Sequence, residues 1–380
     1  MKSYRESMLI DFYELTMANG YFLEGKKDDI VYFDLYYRKN LDDGGYAIFA
    51  GLETIVDYIE NLKFTEEDIE FLKNKDIFSQ DFLDYLKNFK FTGDIYSFKE
   101  GSVVFPNEPL LTVKAKLIEA QIIETFLLQT INHQSLIATK ASRIKFAAKD
   151  SIVLEMGARR AHGASSGHLG ARAAYIGGVE GTSNVLADQL YNIPSGGTMA
   201  HSWVQLFDSE YEAFKAYAKI YPKASTFLVD TYDTLNSGIP NAIKVIKEIL
   251  VPQGIDKYSI RIDSGDLTYL SKQAKKMFNA AGLPNCKIVV SNALDERLIK
   301  TLLEQGAPID IFGVGERLIT AKSDPVFGSV YKLVAIENES NIIPKIKISD
   351  NIEKITTPHF KKVYRIYSNG KAEADLITVH

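Results

Sequence analysis

From about Ser151 onward the chain alternates short apolar runs with stretches of helical period. SIVLEM, STFLVD, YSIRID, KIVVSN and IDIFGV read as strands, while GIPNAIKVIKEIL, LTYLSKQAKKMF and LDERLIKTLLEQ place apolar residues at helical spacing. Repeated strand-then-helix units imply parallel strands joined by crossover helices. Strands that are apolar almost throughout are covered on both faces, which favours a closed (β/α) barrel. A doubly wound open sheet has the same periodicity and is the competing arrangement.

The earlier part of the chain has a mixed texture. IVYFDLYY reads as a strand and LETIVDYIENL as an amphipathic helix. FTGDIYSF and PLLTVKAKL read as strands on either side of the turn-rich EGSVVFPNE. A long helix is predicted from Glu119 through Ile144, with a break near Asn132. After Phe327, VYKLVAI and KVYRIYS return to strand character. The expected organisation is an α/β protein: an irregular (β/α) barrel over 121–326, with an additional α+β domain built from 1–120 and the 327–380 segment.

Composition narrows the functions open to such a fold. A chain of 380 residues exceeds one ordinary core but suits a barrel with an added domain. The formal charge of -5 leaves no excess of Lys and Arg to neutralise a phosphate backbone, so no nucleic-acid partner is expected. The single cysteine, Cys286, excludes an internal disulfide framework or a multi-thiolate metal site. MKSYRESMLIDFYE has no apolar signal core, and no stretch approaches the ~20 apolar residues of a membrane span. A cytoplasmic protein without membrane partners is the expectation.

In a barrel the loops after the strands build the site. Here the strand ends are consistently polar. SIVLEM leads to Arg159 and Arg160. TFLVD ends in Asp230, with Asp233 close behind. SIRID ends in Asp263, followed by Ser264, Gly265 and Asp266. KIVVSN ends in Ser291 and Asn292, and IDIFGVG carries Gly313 and Gly315. Any one Asp or Ser would serve as a helix N-cap; together they outline a site. SNALDE and FGVGER each run from a strand through a small-residue turn into a helix, a geometry that favours an anion at the helix start. Asp230 and Asp263, on successive strands, could hold Mg²⁺ together with substrate phosphates; N-capping or pairing with Arg261 is the structural alternative.

DFYELTMANGYF, FAGLE, VFPNEPLLTV, EAQIIETFLL, GTMAHS, VDTYDT, RIDSGD and FGVGERLIT occur in that order between Asp11 and about Ile336. As a set they resemble the nicotinate phosphoribosyltransferase family. The resemblance implies displacement of pyrophosphate from 5-phosphoribosyl 1-pyrophosphate by nicotinate, giving nicotinate mononucleotide in NAD salvage. It also implies ATP hydrolysis coupled through a phosphorylated histidine, Mg²⁺ as cofactor, and a homodimer with shared active sites. His201 matches the phosphorylated histidine, and neutral imidazole is a sound phosphoryl acceptor. Arg159 matches the arginine that grips the pyridine carboxylate, with Arg160 assisting or reaching the sugar phosphates. Tyr13 matches the aromatic that stacks on the pyridine from the partner subunit.

By the same comparison Thr182 lies near the carboxylate end of the pyridine. Nicotinamide-using relatives carry aspartate at the position of Ser183 and phenylalanine at that of Met156; serine in place of aspartate suits an anionic pyridine. Arg261, Asp263, Gly265 and Asp266 match the ribose and pyrophosphate loop. Ser291, Asn292, Gly313 and Gly315 match the 5-phosphate cradle. Arg38, Lys39, Lys140 and Arg143 are further phosphate candidates, while His162 and His168 match no motif. Nicotinamide or quinolinate phosphoribosyltransferase, and a non-catalytic sugar-phosphate sensor, are the competing functions; quinolinate, with two carboxylates, would demand a denser basic pocket.

Overall fold

The computed structural model describes residues 6–339, 341–351 and 354–380. The chain's first residues, part of the segment read as lacking a targeting signal, lie outside the described residues. Two compact units emerge, one of Met1–Leu136 with Val326–His380, the other of Ile137–Pro325.

The first unit opens with strands β1 (Ile30–Tyr37), β2 (Ala47–Ile48), β3 (Asp94–Ser97), β4 (Val103–Val104) and β5 (Leu111–Lys116). The second holds β6 (Ile152–Glu155), β7 (Gly181–Thr182), β8 (Thr226–Leu228), β9 (Ser259–Ile262), β10 (Lys287–Val290) and β11 (Ile311–Val314). The chain then returns to the first unit with β12 (Ser329–Asn338), β13 (Asn341–Pro344), β14 (Lys361–Ser368) and β15 (Lys371–Val379).

β1 is central in the antiparallel sheet β13-β12-β1-β5-β3 and is buried from Val31 to Tyr37. Its uninterrupted IVYFDLYY run follows from that position, because layers cover both of its faces. The returning segment is seated by aromatic packing: Phe33 stacks on Tyr331 and Tyr37 on Phe327, each pair with ring centres 4.7 Å apart. The sequence anticipated one long helix broken near Asn132. The break lies instead at Ile123, between helices Leu117–Ile122 and Glu124–Ala148. Asn132 stays helical because its side-chain oxygen faces outward and accepts from the Ser329 N–H and hydroxyl, each at 2.9 Å, fixing the start of β12. EGSVVFPNE, read as a connection only, contributes β4, which pairs with β2.

In the second unit every ladder is parallel and the strand order is β7-β6-β11-β10-β9-β8. The first strand of the unit pairs with the last, β6 with β11, and all others follow chain order. A doubly wound sheet reverses direction about its first strand instead. The arrangement is therefore that of a (β/α) barrel, irregular because no ladder joins β7 to β8 among the described residues.

The register sorts the strands onto two faces. One carries Val153, Phe227, Val229, Ile260, Ile262, Ile288, Val290, Phe312 and Val314, all fully buried. The other carries Leu154, Arg261 and Gly313, with Met156, Asp263 and Ser291 just past the strand ends. The cluster around Arg261 thus lies on one face and at one end of the sheet.

Candidate active site

Arg261 organises the second unit's strand ends. Its Nε donates to Ser291 Oγ at 2.9 Å, Nη1 to Thr198 Oγ1 at 3.1 Å and Nη2 to Asp263 Oδ1 at 3.1 Å. Ser291 Oγ also donates to Asp263. Asp230, one strand over, accepts from the Asp263 N–H at 2.9 Å and from Ser264 Oγ at 2.6 Å. Its Oδ1 is buried with no hydrogen-bond partner. His201 begins the helix His201–Leu206. Its Nδ1 lies 3.1 Å from Thr231 Oγ1 and its Nε2 lies 3.9 Å from Asp263 Oδ2. The ring is thus held by one nitrogen, while the other faces a carboxylate at a half-open position.

The two turns read as phosphate cradles differ. After β10, Asn292 and Ala293 adopt φ of 90° and 46°. The left-handed region costs an alanine ~1–2 kcal/mol, and such strain tends to persist at functional sites. The helix start beyond, at Glu296–Glu304, is already capped: Asp295 accepts from the Leu298 N–H at 2.9 Å and pairs with Arg317. After β11, Gly315 stands at the N-cap of the short helix Glu316–Ile319 and supplies no side chain there. A Cβ added to Gly313 would come within 2.6 Å of Met156 Sδ and 3.5 Å of Ser291 Cβ. Glycine at 313 therefore leaves room for the Met156 thioether on the polar face. Gly265 holds φ +79 in the turn before Asp266, and Asp266 caps helix Leu267–Ala280 through the Tyr269 N–H at 3.0 Å.

Arg159 and Arg160 are exposed on the turn Ala158–Arg160, directly beyond β6. Thr182 is buried and donates its hydroxyl hydrogen to Glu155 at 2.6 Å, whereas Ser183 is exposed. Lys140 is buried, bonded to Glu296 at 2.9 Å and Ser323 at 2.7 Å, and Arg143 approaches the same Glu296. His168 hydrogen-bonds the Tyr191 hydroxyl at 2.9 Å across a stacked contact, and burial lowers its pKa. His162 is exposed.

Tyr13 and Arg38 belong to the first unit. Tyr13 is 47% exposed on helix Phe12–Leu23, and burial together with nearby Glu124 raises its phenol pKa. Arg38 follows β1, with its guanidinium 5.9 Å from the Tyr36 ring centre. Glu155 was not singled out by sequence reasoning, because within SIVLEM it reads as one polar residue at a strand end.

Residues 8–132 match the family model of the nicotinate phosphoribosyltransferase (NAPRTase) N-terminal domain, and residues 152–371 that of the nicotinate phosphoribosyltransferase (NAPRTase) family. The chain belongs to the nicotinate phosphoribosyltransferase family. It is 51% identical over 376 residues to nicotinate phosphoribosyltransferase of Bacillus subtilis (strain 168), covering 98% of this chain and 76% of the relative. The Homo sapiens protein of that name is 32% identical over 428 residues, with 97% and 79% covered. The crystal structure of human nicotinic acid phosphoribosyltransferase superposes with a TM-score of 0.85 at 30% identity, covering 98% of this chain and 81% of that one. Nicotinate-nucleotide pyrophosphorylase from Pyrococcus furiosus, at 23% identity and TM-score 0.77, shares the fold and covers 100% and 86%. No described helix is long and apolar enough to cross a membrane.

Proposed function

We propose that this chain transfers phosphoribosyl from 5-phosphoribosyl 1-pyrophosphate to nicotinate, coupled to ATP hydrolysis through phosphorylation of His201. The observation that carries the reading is the convergence of Arg261, Asp263, Ser291 and His201 at one end of the parallel sheet. Family membership supplies the substrate class. The pyridine nitrogen's lone pair forms the bond to C1 of the ribose as the C1–oxygen bond breaks and pyrophosphate leaves with those electrons. No side chain need take a proton. The work of the protein is to align the ring nitrogen with C1 and to balance the departing charge.

Arg159 would hold the nicotinate carboxylate, with Ser183 offering a neutral neighbour where aspartate would repel it, and Met156 packing against the ring. Gly265 and Asp266 would border the ribose and pyrophosphate. Asn292 and the Gly313–Gly315 turn would receive the 5-phosphate, with Arg160, Lys140 and Arg38 as further cations. Thr231 holds the His201 ring, leaving Nε2 as the nitrogen turned into the site. A phosphoryl group there would rearrange charge next to Asp263 and so tune substrate binding.

The donor set fits Mg²⁺ bound largely through substrate. Asp230 Oδ1 is an orphaned buried carboxylate oxygen, and Asp263 lies beside it. No described cluster of three or more His, Cys, Asp or Glu forms an all-protein cage. Mg²⁺ commonly takes one or two carboxylates plus phosphate oxygens and water. When bound, it would neutralise pyrophosphate charge.

A homodimer with shared sites follows from the same reading. Phe12 and Tyr13 are 52% and 47% exposed on one helix, which a second copy would cover while presenting Tyr13 to the pyridine.

Two assays test this. Nicotinate, nicotinamide and quinolinate are compared as acceptors with and without ATP; nicotinate should be used best, and its being the poorest of the three overturns the assignment. His201→Ala should retain basal synthesis and lose stimulation by ATP; unchanged stimulation removes His201 from the coupling.

A further inference from the structure

Glu155 is a carboxylate on the wrong face of the sheet. Its side chain shares the apolar face with Val153 and, by register, with Val314, and it is fully buried. No cation pairs with it among the described residues. Burial raises its pKa, and only hydrogen bonds from its surroundings work against that rise. Here two donors converge. Thr182 Oγ1 donates to Oε2 at 2.6 Å, and the Gly157 N–H donates to Oε1. The backbone repeats the link, since the Ser183 N–H donates to the Glu155 carbonyl at 2.8 Å.

Thr182 Oγ1 in turn accepts from the Asn184 N–H at 3.0 Å. The hydroxyl therefore has its one hydrogen committed to Glu155, and it has none to offer a ligand. The donors come from two segments distant in sequence. Gly157 opens the turn that presents Arg159, and it is itself wedged: an added Cβ would lie 2.6 Å from Ile319 Cβ and 2.8 Å from the Gly315 carbonyl oxygen. Thr182 opens the corner that presents Ser183.

We propose that Glu155 is a positioning residue for the pyridine: it ties the Gly157–Arg160 turn to the Thr182–Ser183 corner, so that Arg159 and Ser183 meet the pyridine carboxylate in one fixed geometry. The proposal rests on the reading of Arg159 and Ser183 as the pyridine's carboxylate contacts. Fully buried, Glu155 is out of reach of either substrate. It acts through the two strand ends, where a displacement of ~1 Å can cost as much as ~100-fold in rate.

The test is steady-state kinetics of Glu155→Gln and Thr182→Val in the full chain, with nicotinate and 5-phosphoribosyl 1-pyrophosphate varied separately. Glutamine keeps the shape but offers one acceptor oxygen to two donors. It should raise KM for nicotinate by about 10- to 100-fold, the upper end matching the cost of a ~1 Å misplacement, while KM for 5-phosphoribosyl 1-pyrophosphate changes by less than about threefold. Thr182→Val, which removes one donor and keeps the bulk, should shift the same constant in the same direction by less.

Should Glu155→Gln fail to fold, the Thr182→Val split decides alone. Equal changes in both KM values, or none, overturn the positioning role while wild-type turnover of nicotinate leaves the activity standing. A wild-type chain that does not turn over nicotinate overturns the activity and this proposal with it.

Discussion

The two units each contain a carboxylate–cation pair, and the two pairs are built for opposite purposes. Arg261 and Asp263 lie 3.1 Å apart with side chains 15% and 28% exposed, at an open strand end. Lys361 and Asp34 lie 2.6 Å apart with side chains 4% and 2% exposed, in the antiparallel sheet's core. Each partner of the first pair also bonds to Ser291, so each has a second polar contact besides the other. The second pair is locked. Thr112 donates to Asp34 at 2.7 Å, and Lys361 also donates to the carbonyls of Thr357 and His359, each at 2.7 Å. It fastens the start of β14 to β1. Similar charges thus stay partly open to water in one pair and fasten the chain in the other.

The largest effect expected from breaking this contrast is at Lys361. Lys361→Met strands a buried carboxylate and should lower unfolding free energy by about 3–5 kcal/mol, read from urea denaturation. Activity per folded molecule should hold. A wild-type midpoint would mean that burial does not distinguish the pairs.

Next is Arg261→Ala, which should cut kcat/KM by about 10²–10³-fold, as removal of a charge-stabilising donor does. Its unfolding midpoint should stay close to wild type. A stability loss matching that of Lys361→Met would make both pairs structural.

Third is Glu14, which extends the comparison to a buried acid that pairs with no cation among the described residues. Burial pushes its pKa from 4.5 up to about 8, against the lowering effect of the Thr125 hydroxyl bond. Below pH 4.5 both folded and unfolded states hold the proton, and the group carries no penalty. Between 4.5 and about 8 the unfolded chain ionises while the fold retains the proton, so stability falls as pH rises, by up to ~1.4 kcal/mol per unit. Above that window both states are ionised and the loss is complete. Glu14→Gln should therefore gain on wild type by roughly 1–3 kcal/mol between pH 5 and 8. Parallel pH–stability curves for the two proteins would refute the shift.

The smallest effect is at Asp266. Asp266→Ala loses the helix cap and should cost about 1 kcal/mol in thermal unfolding. A rise in KM for 5-phosphoribosyl 1-pyrophosphate on the same variant would sharpen its second role, because only one carboxylate oxygen is committed to the Tyr269 N–H.

Much of the second unit is legible in the sequence. Parallel strands covered on both faces are apolar along most of their length; KIVVSN and IDIFGV are, while YSIRID is interrupted by Arg261. β7 escaped notice because Gly181–Thr182 is too short to carry a period. The helix break was misplaced because Asn132 reads as an interruption, while its actual partner is Ser329, far along the chain. The polar strand ends were legible as a set, but not their division of labour. Asp295 and Asp266 turned out to cap helices, while Asp230 kept an oxygen free.

The strand–helix alternation, the family and the residue types at the strand ends can all be read along the chain. These depend on local periodicity and on motif order, both of which are written along the chain. It takes the folded chain to show that β6 pairs with β11, that Arg261 joins Asp263 to Ser291, and that Glu155 is held by Thr182 on the opposite face from the polar cluster. Each of those depends on the register between strands distant in sequence, and a shift of one residue would turn every one of these side chains to the other face.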